Sequence, residues 1–185
     1  DWRNRNLIKT PSGTKWLTIP VEVKGKFFQK INETKISDAG WNKEHWDIIQ
    51  QNYKKAPFFK DYKDFFEELY LKANSVYLTE INFRFIKAIC EILEIDSKFH
   101  FSSDFVLEED RTERLVSICK KLEATNYYSG PAAKAYMDES VFQKAGVNLN
   151  YFDYSNYPEY KQLHEPFDHS VSIIDLIFNT GVNAK

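Results

Sequence analysis

The stretch that decides the fold is TNYYSGPAAKAYMDESVFQKAGVNLNYFDY, residues 125–154. Its β-prone start, residues 126–128, stops at Ser129-Gly130-Pro131 because glycine and proline together end a strand and turn the backbone. A helical segment of small residues follows and ends at Gly146, and a second strand then covers residues 147–154. The order strand, helix, strand predicts a βαβ unit.

The Ser129-Gly130-Pro131 turn is the first candidate binding site. In a βαβ unit, ligands meet the chain beyond the carboxyl end of a strand, where backbone amides can face an anion. An ordinary strand-to-helix connection has the same spacing, so both interpretations stay open. Ser129, Gly130 and Tyr136, which lies in the helical segment that follows, are the candidate ligand-binding residues here.

A strand-like run, FHFSSDF, precedes this unit at residues 99–105. A helix with a capping-box start, Asp110 followed by Glu113, joins the two, so residues 99–154 predict a parallel sheet. If the strands are neighbours, the serines after the first strand converge with the Ser129 turn at one edge. Ser103 therefore joins the candidate ligand-binding residues.

Length and composition favour one domain in a reducing cytoplasm. The chain has 185 residues, is 43% hydrophobic and shows neither an apolar run that could cross a bilayer nor a secretory signal. Cys90 and Cys119 lie in helical apolar patterns without CxxC or Cys/His spacing, which argues against a disulfide framework and a zinc site. We expect no cofactor.

The net charge of −2 is unevenly distributed, because the first 35 residues are basic and the last 85 are acidic. The basic start offers a dense set of hydrogen-bond donors for phosphate or carboxylate, and a nucleic-acid groove is the alternative. The candidate ligand-binding residues of this segment are Arg3, Asn4, Arg5 and Lys9.

Pro11-Ser12-Gly13 is a turn between two strand-like segments and predicts a hairpin. In its second strand Leu17, Ile19 and Val21 alternate with Trp16, so Trp16 points away from the core. Trp16 is either a stacking surface for a ligand or the cover of a second apolar layer.

Apolar spacing predicts three helices over residues 41–95, the third with Thr79 as its N-cap. His45 lies four residues after Trp41 on the buried stripe of the first helix. It either lines a pocket together with Trp41 or makes one hydrogen bond inside the core, and the sequence leaves both open.

The tail carries His164 and His169 with Glu165 and Asp168 in a loop, before a helix over residues 170–179. Neighbours in a proline-containing loop rarely converge on one ion, so we expect no metal site here. A role for His164 as a general acid or base is the stronger hypothesis.

Four separated stretches resemble the WbqC-like protein family in the expected order, and together they cover almost the whole chain as a single domain, residues 1–185. They are DWRNRNLIKTPSGTKWLTIPV, GWNKEHWDIIQQNYKKAPFF, RTERLVSICKKLEATNYYSGPAAKAYMDESVFQKAGV and SIIDLIFNTG. The resemblance also implies an earlier strand, a P-x-x-x-P-x-x-G-Y-F loop, a helix and a second strand, which this sequence lacks. We therefore expect an incomplete sheet.

The family is found with genes for O-antigen and other surface polysaccharides. The resemblance implies transfer of glycine or another small acyl group to a nucleotide-linked amino sugar. The partners it implies are that sugar nucleotide and an acyl or aminoacyl donor, with tRNA as the one nucleic acid to consider. A non-catalytic module that binds a nucleotide-sugar or holds other biosynthetic enzymes together is the alternative.

Together these observations predict an α/β fold. It has a parallel or mixed sheet with βαβ units, an N-terminal hairpin and a helical insertion over residues 41–95. In the transferase hypothesis the sugar amine is the nucleophile, the basic start holds phosphate or carboxylate, and the Ser129-Gly130 amides stabilise an oxyanion. His45 or His164 is the catalytic base.

Overall fold

The computed structural model describes residues 2–26 and 28–185 and divides the chain into two compact units. Unit one contains residues 1–96 and 159–185, and unit two contains residues 97–158. The mixed α/β class predicted from the sequence is confirmed, with two small sheets of two strands each. None of the helices in the described ranges is long and apolar enough to cross a membrane.

Unit one begins with the predicted hairpin. Strands β1 (Arg5–Thr10) and β2 (Gly13–Thr18) are antiparallel, with Arg5 opposite Thr18 and Thr10 opposite Gly13. Gly13 has φ +113°, a conformation that side-chain-bearing residues rarely adopt, so the tight turn depends on glycine. Leu17 is buried and Trp16 is 52% exposed, as predicted, whereas Ile19 and Val21 lie beyond the end of β2 and are half-buried.

Helices α1 (Trp41–Tyr53), α2 (Phe59–Leu71) and α3 (Leu78–Ile92) form the predicted helical insertion, and α6 (Ile173–Thr180) completes unit one. The prediction of Thr79 as the cap of α3 is wrong, because the cap is Tyr77 and the helix begins at Leu78, two residues earlier than predicted. The Leu78 amide donates to the carbonyl of Thr34, so a main-chain contact replaces a capping side chain.

The core of unit one centres on Phe178 of α6. Its ring lies 5.0 Å from that of Phe59, 5.1 Å from Phe66 and 5.5 Å from Tyr53, measured between centroids. Gly181 follows α6 at φ +60°, where a Cβ atom would lie 2.4 Å from the Phe58 ring. The end of α6 is therefore closed by a residue without a side chain, as the sequence predicts.

A buried polar network joins α1, β1 and α6. The Tyr53 hydroxyl donates to the Asp175 carboxylate over 2.8 Å and accepts from the Lys9 amide over 2.9 Å. The Tyr160 hydroxyl donates to the other oxygen of Asp175, also over 2.8 Å. Burial is the main cause that raises the pKa of both tyrosines, so both hydroxyls stay protonated and able to donate.

Unit two contains the predicted βαβ unit. Strands β3 (Asn126–Ser129) and β4 (Asn148–Tyr151) are parallel and are joined through a 3-10 helix and the short helix α5 (Glu139–Lys144). Helix α4 (Arg111–Lys121) precedes them, with its first amides capped by Asp110 as predicted. Phe142 is completely buried at the centre of this unit's core.

The predicted strand at residues 99–105 is wrong, because Ser102–Asp104 forms a 3-10 turn and no strand lies there. The Asp104 carboxylate accepts from the Phe101 amide over 3.2 Å, and such local bonds compete with strand pairing. Ser103 therefore does not end a strand beside the Ser129 turn, and the condition on which the predicted convergence of the two turns depends is not met.

Candidate functional site

Unit one contains a cavity of about 690 Å³, a volume typical of small-molecule sites. Its wall is built by the first residues of the hairpin, the start of α1, one face of α3 and the start of α6. The described lining includes the candidate residues Arg3, Asn4, Arg5, Trp41 and His45. The structure thus brings together side chains from the N-terminal segment and from α1.

The polar groups of the cavity are linked to the segment that begins the hairpin. Asn82 of α3 donates its side-chain amide to the Arg3 carbonyl over 3.1 Å. Asn4 donates to the Ile19 carbonyl over 3.0 Å, while its Oδ1 is buried and has no hydrogen-bond partner among the described residues. A buried acceptor without a hydrogen bond costs free energy in the folded protein. Such unpaired groups often mark a functional site.

His45 is tied to the same end of the hairpin. Its Nε2 lies 3.1 Å from the Thr18 carbonyl, and a carbonyl only accepts, so Nε2 carries the proton of the neutral ring and Nδ1 carries the lone pair. The ring is 6% exposed and packs edge-on against Trp41 at 5.2 Å. Burial lowers the pKa of His45, with the Thr18 carbonyl and Glu44 acting in the opposite direction. Both sequence interpretations of His45 therefore apply, because it lines a pocket and makes one core hydrogen bond.

Arg5 and Trp16 form a cationic platform beside the cavity. The guanidinium carbon of Arg5 lies 4.4 Å from the centre of the exposed Trp16 ring. In this structure the partner of the Trp16 ring is Arg5, and a role for Trp16 in stacking against a ligand stays a prediction. A planar guanidinium held on an aromatic face keeps its donors available for phosphate or carboxylate.

The other candidates of unit one lie away from the described lining. Lys9 is buried, and its ammonium donates to the carbonyl of Pro166, so it does not extend a basic surface from Arg3 and Arg5. His164 lies 2.9 Å from the Asn52 carbonyl near the end of α1. The side chains of Arg3, Arg5 and Lys9 therefore do not form one basic surface, and a nucleic-acid groove stays an alternative prediction.

The candidates of unit two are partly placed as the sequence suggests. Ser129 ends β3, Gly130 is the N-cap of the 3-10 helix Pro131–Ala135, and Tyr136 is 60% exposed after it. Helix α5 has six residues and is capped by Asp138, which accepts from the Ser140 amide. A ligand-binding role of Ser103, Ser129, Gly130 and Tyr136 stays a prediction.

The part of the cavity wall that α3 forms is not predicted from the sequence. The stripe of Phe85, Ile89 and Ile92 reads as simple core, yet these side chains are only partly buried, and Phe85 and Ile89 line the cavity. Within α3, Asn82 is the residue that could have indicated a site, because a side-chain amide next to an apolar stripe needs a polar partner. Within residues 2–26 and 28–185, no group of three or more His, Cys, Asp or Glu side chains is placed to hold a metal ion.

Fold and cavity together define an α/β protein with an apolar cavity and arginines at its polar end. The chain belongs to the WbqC-like protein family, whose model matches residues 1–185. It is 44% identical over 184 residues to the uncharacterized protein Rv1507c of Mycobacterium tuberculosis, a match that covers all of this chain and 80% of that protein. No solved structure was found to match the chain.

Proposed function

We propose that the protein transfers a small acyl group to the amine of a nucleotide-linked amino sugar in surface-polysaccharide assembly. The observation that carries the proposal is the presence of a neutral histidine, His45, and two arginines, Arg3 and Arg5, in the wall of one cavity. A neutral imidazole accepts a proton, and arginines bind phosphate groups of a substrate. The family's association with polysaccharide genes supports the choice of acceptor.

In this mechanism the sugar amine attacks the acyl carbonyl, and a carbon–nitrogen bond forms. The bond between the carbonyl carbon and the donor's leaving group breaks, and its electron pair departs with that group. The Nδ1 of His45 accepts the proton that the amine loses and returns it to the leaving group. The Thr18 carbonyl holds Nε2–H and so fixes which nitrogen faces the substrate.

The proposed setting is the cytoplasm, where sugar nucleotides are available. Cys90 and Cys119 are free thiols, which agrees with a reducing compartment. His164 is the second histidine proposed as a base, but its Nε2 lies against the Asn52 carbonyl and the described cavity lining does not include it. We therefore assign the base to His45.

The test is acyl transfer to a nucleotide-linked amino sugar by three variants. His45→Gln keeps an amide donor that reaches the Thr18 carbonyl but has no base, and we expect a loss of about 10²–10⁴-fold in kcat. His164→Gln is the matched control and should keep the wild-type rate. His45→Leu removes the donor as well, and its unfolding midpoint reports the structural share of the residue. Equal rates for wild type and His45→Gln would refute the assignment.

A non-catalytic module that binds a nucleotide-sugar or a partner enzyme is the second candidate. It is favoured by the packing of His45, whose ring is enclosed by Trp41 and Tyr70 and bonded to main chain like a structural histidine. Binding of the sugar nucleotide without turnover, equal in wild type and His45→Gln, would support this candidate over the transferase.

A further inference from the structure

The cavity wall offers mainly hydrocarbon. Phe85, Ile86 and Ile89 of helix α3 line the cavity. Trp41 and Tyr70 line it as well, and the ring centroids of Tyr70 and Phe85 are 4.8 Å apart. Ile86 is 50% exposed, although it belongs to the apolar face of its helix. Burying this face under a ligand removes apolar surface from water, which is the main source of affinity in such pockets.

The charged side chains among the described lining residues are arginines. Arg3 and Arg5 are in its wall, whereas no Asp or Glu occurs among the described lining residues. In the described part of the chain, no carboxylate lies within ion-pair distance of Arg5. A ligand with a negative group near the hairpin and an apolar group against α3 would complement both parts of the wall.

A glycyl group does not fit this wall. At neutral pH its amine is an ammonium, and an ammonium taken out of water needs a carboxylate or several acceptors to compensate its desolvation. The described lining has arginines instead, which repel it. An alkyl chain needs no such partner.

We propose that the cavity takes an aliphatic acyl group attached to an anionic carrier and discriminates against glycyl. This inference rests on the proposed function for the transfer step, but binding can be tested without turnover. It narrows the donor from any small acyl group to one with a hydrocarbon body.

The first experiment measures dissociation constants by calorimetry for butanoate, hexanoate and octanoate, with octylamine and glycine as matched probes. Each added methylene should tighten carboxylate binding about fourfold. Octylamine should bind at least tenfold more weakly than octanoate, and glycine should give no signal. No dependence on chain length, or equal binding of octylamine and octanoate, would overturn the inference. Octanoyl coenzyme A tests the anionic carrier. If it binds more tightly than octanoate, the negative group of the ligand near the hairpin is a phosphate.

Two variants locate the binding site. Arg5→Gln alters an exposed side chain and should weaken octanoate binding about tenfold while leaving octanol binding unchanged. Ile86→Glu places a carboxylate in the wall and should reverse the preference between octanoate and octylamine. Val182→Glu, at a position that is 66% exposed and absent from the lining, is the control and should change neither. Unchanged affinities in both Arg5→Gln and Ile86→Glu would place the ligand elsewhere and refute the inference.

The two proposals fail separately. If the carboxylate series behaves as described but no acyl transfer is found with His45 intact, the donor inference stands as a binding property and the transferase fails. If a glycyl donor is turned over and the carboxylates do not bind, the transferase stands and the donor inference fails.

Discussion

His45 donates its Nε2–H to the carbonyl of Thr18, 3.1 Å away, and Thr18 is the strand partner of Arg5. One rung of the hairpin therefore positions both a neutral imidazole and a guanidinium. A shift of one residue in the strand register would move the arginine to the other face of the hairpin.

The pH dependence of stability should carry the signature of His45. Burial holds its pKa below the usual 6.5, so between the folded and unfolded pKa values the unfolded chain binds more protons. The free energy of unfolding should then fall as the pH drops below about 6.5. Urea unfolding at pH 7.5, 6.5 and 5.5 measures this, and His45→Gln should show a flatter profile. His100→Gln, at an exposed position, is the control, and an identical slope in all three proteins would contradict the prediction.

Removing the Tyr53 hydroxyl should destabilise unit one. Tyr53→Phe leaves the Lys9 amide and one oxygen of Asp175 without their buried partner, which costs about 1–3 kcal/mol. Chemical denaturation measures the change. Tyr62→Phe removes a partly buried hydroxyl without a described hydrogen bond and should stay within about 0.5 kcal/mol of wild type. A loss of the same size in both variants would argue against the network.

A methyl group at Gly181 should be poorly tolerated. Gly181→Ala adds the strain of a positive φ and a contact of 2.4 Å with the Phe58 ring. Gly146→Ala is the matched control, because its φ is +72° with open space around it, and it should cost about 1 kcal/mol. Gly181→Ala should cost about 1–3 kcal/mol more through overpacking. Equal thermal shifts in the two variants would mean that the Phe58 ring moves aside freely.

Loss of the Trp16 ring should weaken anion binding without unfolding the hairpin. Trp16 is 52% exposed, so Trp16→Leu removes the support of Arg5 and little core contact. An exposed cation–π contact is worth about 0.5–1 kcal/mol, so octanoate binding should weaken about two- to fivefold. Trp16→Tyr keeps an aromatic face and should retain most of the affinity. A drop in unfolding midpoint without a change in affinity would assign Trp16 a purely structural role.

Local signals explain what the sequence predicts correctly. The hairpin follows from Pro11-Ser12-Gly13, the cap of α4 from Asp110, and the βαβ unit from the turn at Gly130 and the release at Gly146. Each depends on backbone preferences of a few neighbouring residues. The run at residues 99–105 misleads because its alternating aromatics resemble a strand, while Asp104 satisfies the local backbone.

The cavity depends on contacts between residues far apart in the sequence. Its wall combines residues near positions 3–6, 41–45, 81–90 and 172–174, and no local pattern says that these segments meet. The basic start predicts an anion site; the fold places Arg3 and Arg5 in the cavity wall, and anion binding there stays a prediction. It also suggests the same role for Lys9, whose ammonium instead donates to the carbonyl of Pro166.

Unit one is discontinuous along the chain, and this has a consequence for its biogenesis. Phe178, the centre of its core, belongs to the last 27 residues, 159–185, whereas unit two is complete at residue 158. A ribosome that adds about 5–20 residues per second therefore exposes the hairpin and α1–α3 for some seconds before α6 arrives. During that interval the aromatic faces of Phe59 and Phe66 lack their partner, and they are the surface that a chaperone would meet first. We expect that truncation before α6 leaves unit two folded and unit one prone to aggregation.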